Sequence, residues 1–117
     1  MKKIFLIKKK YLKKNKFYIK YIEDIRDEVI AFLDKDNVLR IFSSICPHFG
    51  GEIFFDFKND KLRCKWHDWE FCKSTGECLT FKIKTQLRKY DFKINPNNLK
   101  KFQFEVIDGK VYILSNE

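Results

Sequence analysis

Cys46-Pro47-His48-Phe49-Gly50-Gly51 and, further on, Cys64-Lys65-Trp66-His67-Asp68-Trp69 each set one thiol beside one imidazole. His48 and His67 are the only two histidines among 117 residues, and each follows a cysteine by two or three positions. Thiolate and imidazole are donors suited to zinc and iron–sulfur centres. In a reducing compartment, cysteines are more often metal ligands or thiols than disulfides. The candidate metal ligands are therefore Cys46, His48, Cys64 and His67.

Around these pairs the chain reads as short strands. Glu28–Leu33 and Val38–Phe42 are β-branched or aromatic runs separated by the turn-forming Asp34-Lys35-Asp36-Asn37, a hairpin pattern. Phe102–Ile107 alternates, meets Asp108-Gly109 and resumes as Lys110–Leu114; Asp-Gly between two such runs is a strong hairpin signal. Asn59-Asp60 and Ser74-Thr75-Gly76 mark further turns. Only Ile22–Arg26 and Pro96–Lys101 read as helical, and both are short. Both cysteine–histidine pairs fall just after strand-like segments, where loops at the tips of adjacent hairpins can face each other. The expected class is all-β, a sandwich or barrel of short strands.

Composition fits one domain over residues 1–117. Hydrophobic residues make up 44% and aromatic residues 17% of the chain, thirteen of them Phe, which suffices for a core and argues against disorder. The apolar run Ile4-Phe5-Leu6-Ile7 is four residues long. A signal-peptide core needs roughly 7–15 apolar residues and a membrane-spanning helix about 20, so neither is expected. The chain reads as cytoplasmic and monomeric, with no membrane partner. Net charge is +9, and no acidic residue precedes position 21. Such a balance steers a protein towards acidic partners or attracts nucleic acid without sequence preference. No pattern turns it into a nucleic-acid-reading surface, and no nucleic-acid partner is expected.

The run C-P-H-F-G-G, then C-K-W-H-D-W-E-F, then T-G-E-C, resembles the cluster-binding segment of Rieske-type ferredoxins and of the Rieske domains of ring-hydroxylating oxygenases. The matching motifs span residues 46 to about 79. The resemblance implies stacked antiparallel sheets, with a small cluster-binding subdomain at about 44–80 inserted in a β base domain. It implies one [2Fe–2S] cluster, with Cys46 and Cys64 on the buried iron and His48 and His67 on the outer iron. Imidazole is neutral and donates less than thiolate. Two histidines on one iron therefore raise the potential to about −150 to +300 mV, against about −400 mV for plant-type ferredoxins. Pro47 would stiffen the first loop, and Gly50-Gly51 would let amide groups approach the cluster sulfurs.

This chain departs from the family pattern at two positions. Lys65 stands where proline or a small or apolar residue is usual, and Asp68 where glycine is common. Rieske proteins of cytochrome complexes also carry an extra, disulfide-bonded cysteine in each loop. Gly51 and Trp66 stand near those places here, and the resemblance therefore favours the low-potential ferredoxin branch.

Cys₂His₂ is also a tetrahedral zinc set, but zinc sites usually group like ligands together, so the mixed pairs favour iron–sulfur. Cys72 and Cys78 flank a turn, where a hairpin disulfide is conceivable and packed thiols are favoured. Both histidines are spent on the cluster, leaving none for a non-haem iron site of two histidines and a carboxylate, and no glycine-rich phosphate loop is present. The expected role is a one-electron carrier between a reductase and an oxygenase or other redox enzyme, and the basic charge suits an acidic-surfaced partner. The alternatives are a non-catalytic subunit of a larger redox complex, such as a nitrite-reductase-like small subunit, and a zinc-stabilised structural or nucleic-acid-binding domain.

Overall fold

The run Val29-Ile30-Ala31-Phe32 is apolar at every position, and its alternation explains why. Val29 and Ala31 pack into one buried cluster, Ile30 and Phe32 into another. A strand covered on both faces has no polar side to present. In the computed structural model, which describes residues 2–47, 50–65, 68–80 and 98–115, this strand forms the middle of the molecule.

Among the described residues nine strands make three antiparallel sheets of three. They are β1 (Lys2–Lys8), β2 (Phe17–Ile22), β3 (Asp27–Leu33), β4 (Leu39–Ser43), β5 (Ile53–Asp56), β6 (Lys61–Cys64), β7 (Glu70–Phe71), β8 (Phe104–Ile107) and β9 (Lys110–Ser115). The sheet orders are β1-β9-β8, β2-β3-β4 and β5-β6-β7. Ile4, Leu6, Val111 and Ile113 of the first sheet meet Val29, Ala31 and Ile41 of the second. On the other face of the second sheet, Ile30, Phe32 and Phe42 meet Ile53, Phe55, Leu62 and Phe71 of the third. Phe32 and Phe55 stack with centroids 4.0 Å apart. The molecule is thus a stack of three sheets with two cores, as the all-β expectation required.

Both expected hairpins form. Leu33 pairs with Leu39 across the Asp34–Val38 turn. In the C-terminal hairpin Asp108 (φ 50°) and Gly109 (φ 73°) are both left-handed, the backbone of the tight turn that Asp-Gly favours. Among the described residues the helical turns are two 3-10 turns of three residues, Lys9–Tyr11 and Glu23–Ile25. The second agrees with the short helix read at Ile22–Arg26. The helix read at Pro96–Lys101 is not formed in its described part. There Leu99 N–H donates to the Gly76 carbonyl and Lys100 carbonyl accepts from Ser43 N–H, while Lys101 bridges Phe42. Burial of Leu99 and pairing with β4 outweigh a weak local helix preference. Residues 96–97 lie outside the described residues.

An ionic knot joins the second and third sheets. Asp34 is fully enclosed in the β3–β4 turn. Its Oδ1 accepts from the amides of Asp36 and Val38 at 2.8 and 3.0 Å, and its Oδ2 from Arg40 Nε at 3.2 Å. Lys73, from the turn after β7, lies 3.5 Å from Asp34 and 2.5 Å from Asp60 of the β5–β6 turn. Burial alone would raise the Asp34 carboxyl, but these donors and Lys73 hold it below its ordinary value. The hydrogen bond to Asp60 and the nearby Asp34 charge raise Lys73 against the effect of burial.

Candidate metal centre

β4 leads into the first loop under close constraint. Ser44 N–H donates to the Glu28 carbonyl at 2.7 Å, and the Ser44 carbonyl accepts from Ile53 N–H at 2.8 Å. Ser44 Oγ donates to Glu28 Oε1 at 2.7 Å. Ser43 Oγ donates to Asp27 Oδ1 at 3.0 Å and accepts from Ile45 N–H at 3.2 Å. Ile45 then bridges Glu52, closing a loop over residues 46–51. Inside it Cys46 N–H donates to the Gly51 carbonyl at 2.7 Å and Gly50 N–H to the Cys46 carbonyl at 2.9 Å. Gly50 is left-handed (φ 72°), a conformation open to glycine without strain. Its amide is directed to the Cys46 carbonyl.

The second loop leaves the same end of the third sheet. Cys64 is the last residue of β6 and pairs with Ile53, the first of β5. Cys64 N–H donates to the Trp69 carbonyl and Lys65 N–H to the Glu52 carbonyl, both at 2.9 Å. The Lys65 amide therefore ties the second loop to the stem of the first. The side chains of Lys65 and Glu52 also form an exposed ion pair. Asp68 is exposed and left-handed (φ 53°). That conformation suits glycine and is tolerated by aspartate, so the residue fits the glycine position of the family pattern.

Cys46 and Cys64 are 1% and 0% exposed and belong to the same core cluster as Ile53, Trp69 and Phe71. The fold thus brings two thiols from separate loops into one apolar environment at the loop mouths. A sulfur-preferring group suits that donor chemistry. His48 and His67, with Phe49 and Trp66, lie outside the described residues.

The four cysteines, all described, form no disulfide. For Cys72 and Cys78 the register supplies the reason: Cys78 bridges Phe71 and is buried with it, while Cys72 N–H donates to the Glu77 carbonyl at 2.9 Å. Cys72 is one residue out of step with Phe71 and faces the other side of the strand. Its Sγ lies 3.2 Å from Ser74 Oγ. Burial would raise this thiol, but hydrogen bonds from Ser74 and Thr75 outweigh it, and its pKa is lowered to about 7.

The residues that sequence reasoning missed are Asp27, Glu28, Ser43, Ser44 and Glu52. Ser43-Ser44 directly before the first cysteine was the available signal. Its partners lie 16 residues away, and only strand register reveals them.

These features define an all-β protein with two buried thiols at the mouths of two adjoining loops. The model of the Rieske [2Fe-2S] domain matches residues 2–91, and the chain belongs to that family. Cholesterol 7-desaturase Nvd of Drosophila melanogaster is 25% identical over 89 residues, which cover 74% of this chain and 19% of that protein. The ferredoxin of carbazole 1,9a-dioxygenase from Nocardioides aromaticivorans has a similar fold, with TM-score 0.68, 15% identity and 97% of each chain covered. The apo quaternary ammonium Rieske monooxygenase CntA is similar at TM-score 0.70 and 22% identity over 95% of this chain and 32% of that one. The chain spans about a fifth of the curated relative and about a third of the oxygenase. No helix of the described residues is long and apolar enough to cross a membrane.

Proposed function

We propose that this domain is a one-electron carrier whose [2Fe–2S] cluster is held by Cys46 and Cys64 on one iron and by His48 and His67 on the other. The observation that carries this reading is the meeting of two buried thiols at the mouths of two loops joined by the Lys65 amide and the Glu52 carbonyl. When bound, the cluster supplies reversible one-electron chemistry at a potential set by its mixed ligands. The protein's own part is to exclude water from the cysteine side, through Ile53, Trp69 and Phe71, and to hold the two loops at a fixed separation. Residues 44–80 act as the cluster-binding unit on a base formed by the other strands. Electrons pass from a reductase to an oxygenase or other redox enzyme, in the cytoplasm.

A second reading is that the domain serves as the Rieske part of a larger redox assembly. It is favoured by the partial coverage of the desaturase and of the oxygenase. Gel filtration with a co-purifying partner separates the two readings.

The primary test is optical. Protein purified in reducing buffer is expected to be reddish-brown, with visible absorption that bleaches on dithionite reduction. A colourless protein containing stoichiometric zinc overturns the assignment.

A further inference from the structure

Six of the nine residues from Lys8 to Lys16 are lysines, and all six are exposed. Among the described residues none of them is in an ion pair, whereas Lys2, Lys3, Lys61, Lys65, Lys73 and Lys100 each face a carboxylate. The first of the six begin a turn rather than a loose tail. Lys9 N–H donates to the Gly109 carbonyl at 2.8 Å, Lys8 pairs with Lys110 across the β1–β9 ladder, and buried Leu12 anchors the following residues in the core. The 3-10 turn and the β8–β9 turn thereby enclose an open recess of about 480 Å³, lined by Lys8, Lys9, Lys10, Asp108, Gly109 and Lys110.

This face lies away from the cysteine loops. Leu12 and Val111 belong to the core between the first two sheets, Cys46 and Cys64 to the core between the second and third. The chain passes Ser43 at Lys100 and Ile41 at Phe102, so it runs antiparallel to β4 and away from the end where the Cys46 loop begins. The β8–β9 turn comes six residues after Phe102, up to about 20 Å of extended chain.

We propose that the lysine-lined recess docks an acidic, protruding segment of a partner protein, leaving the cysteine loops accessible. Unpaired lysines around a concavity raise the local concentration of an anionic ligand and speed its encounter. Shape separates the possible partners. A bilayer presents a flat anionic plane, whereas a protruding acidic loop enters a recess. Single-stranded nucleic acid is held on stacking aromatic platforms, and among the described residues the lining of the recess includes no aromatic side chain. Describing the docked protein as a redox partner rests on the electron-carrier reading; the charge and shape match does not.

The test compares Lys9→Glu/Lys10→Glu with Lys35→Glu/Lys58→Glu, a control of equal charge change at exposed lysines elsewhere. The full chain, as purified, is titrated with an oligoglutamate peptide at about 20 mM and about 200 mM salt. The wild type and the control are expected to bind it, and the Lys9/Lys10 variant to bind about tenfold more weakly or less. Affinity is expected to fall with salt. Equal loss in both variants overturns the proposal, because net charge alone would then account for binding. Tighter binding to phosphatidylserine–phosphatidylcholine vesicles or to oligothymidylate also overturns it. The readout does not need the cluster, so a colourless protein that still binds separates failure of the electron-carrier reading from failure of this one.

Discussion

The amide of Lys65 donates to the carbonyl oxygen of Glu52 at 2.9 Å, so the residue after the second cysteine is fastened to the residue that closes the loop of the first. The link is main-chain and does not depend on which side chains stand at 52 and 65. Their ion pair is exposed, at 55% and 47%, and exposed pairs contribute about 0–1 kcal/mol. Lys65→Ala is therefore expected to lower the unfolding free energy, measured by urea denaturation, by no more than that. A loss of several kcal/mol would mean that the side chains, not the backbone, hold the loops together.

Asp34 carries a heavier burden because it is enclosed. Removing one member of a buried charged network leaves the others uncompensated, and Asp34→Asn is expected to cost about 3 kcal/mol. The pH dependence has a definite sign. The folded pKa of Asp34 lies below the ordinary 3.8, so its stabilisation is present above that value and is lost as pH falls through the folded one. Lys73 is raised above 10.5, so its contribution holds below that value and is lost as pH rises through its folded pKa. Between these limits both are present. Chemical denaturation from pH 7 to pH 3 is expected to fall more steeply in the wild type than in Asp34→Asn; parallel curves would remove Asp34 from the acid limb.

Gly76 is left-handed (φ 79°), and a Cβ there would run into the Leu99 carbonyl and the Phe42 ring. Both neighbours belong to the packed core face, so neither yields cheaply. Gly76→Ala is expected to destabilise by about 1–3 kcal/mol. A thermal midpoint unchanged from the wild type would contradict this geometry.

Cys72, lowered to about 7, is expected to react first with iodoacetamide, with a rate that rises through neutral pH as thiolate forms. Cys78 is buried and is expected to react slowly. Peptide mapping after brief alkylation gives the order directly. Preferential labelling of Cys78 would invert the burial described above.

His67→Cys exchanges a neutral ligand for an anionic thiolate on the proposed outer iron. If a cluster assembles in this variant, its potential is expected to drop markedly, towards the all-cysteine range near about −400 mV. Protein-film voltammetry measures it, and an unchanged potential would exclude His67 as a ligand.

The cysteine–histidine pairs and the strand pattern were legible because each is a local signal. Alternating apolar residues, Asp108-Gly109 and two spaced Cys–His pairs need no partner to be recognised. β1 escaped notice because the lysines flanking Ile4–Ile7 masked its alternation, although Ile4 and Leu6 are buried. The helix read at Pro96–Lys101 gave way to extended pairing because Leu99 gains more by entering the core than a single helical turn contributes.

By itself, then, the sequence determined the all-β class, the hairpins and the candidate ligands, since turn chemistry and side-chain period are written in neighbouring residues. Tertiary structure alone decided the rest. It decided that β3 is covered on both faces, that Ser44 meets Glu28, that Lys65 fastens to Glu52, and that Lys73 joins Asp34 to Asp60. Those contacts join segments far apart in the chain, and their partners are chosen by strand register and sheet stacking, which no local pattern encodes.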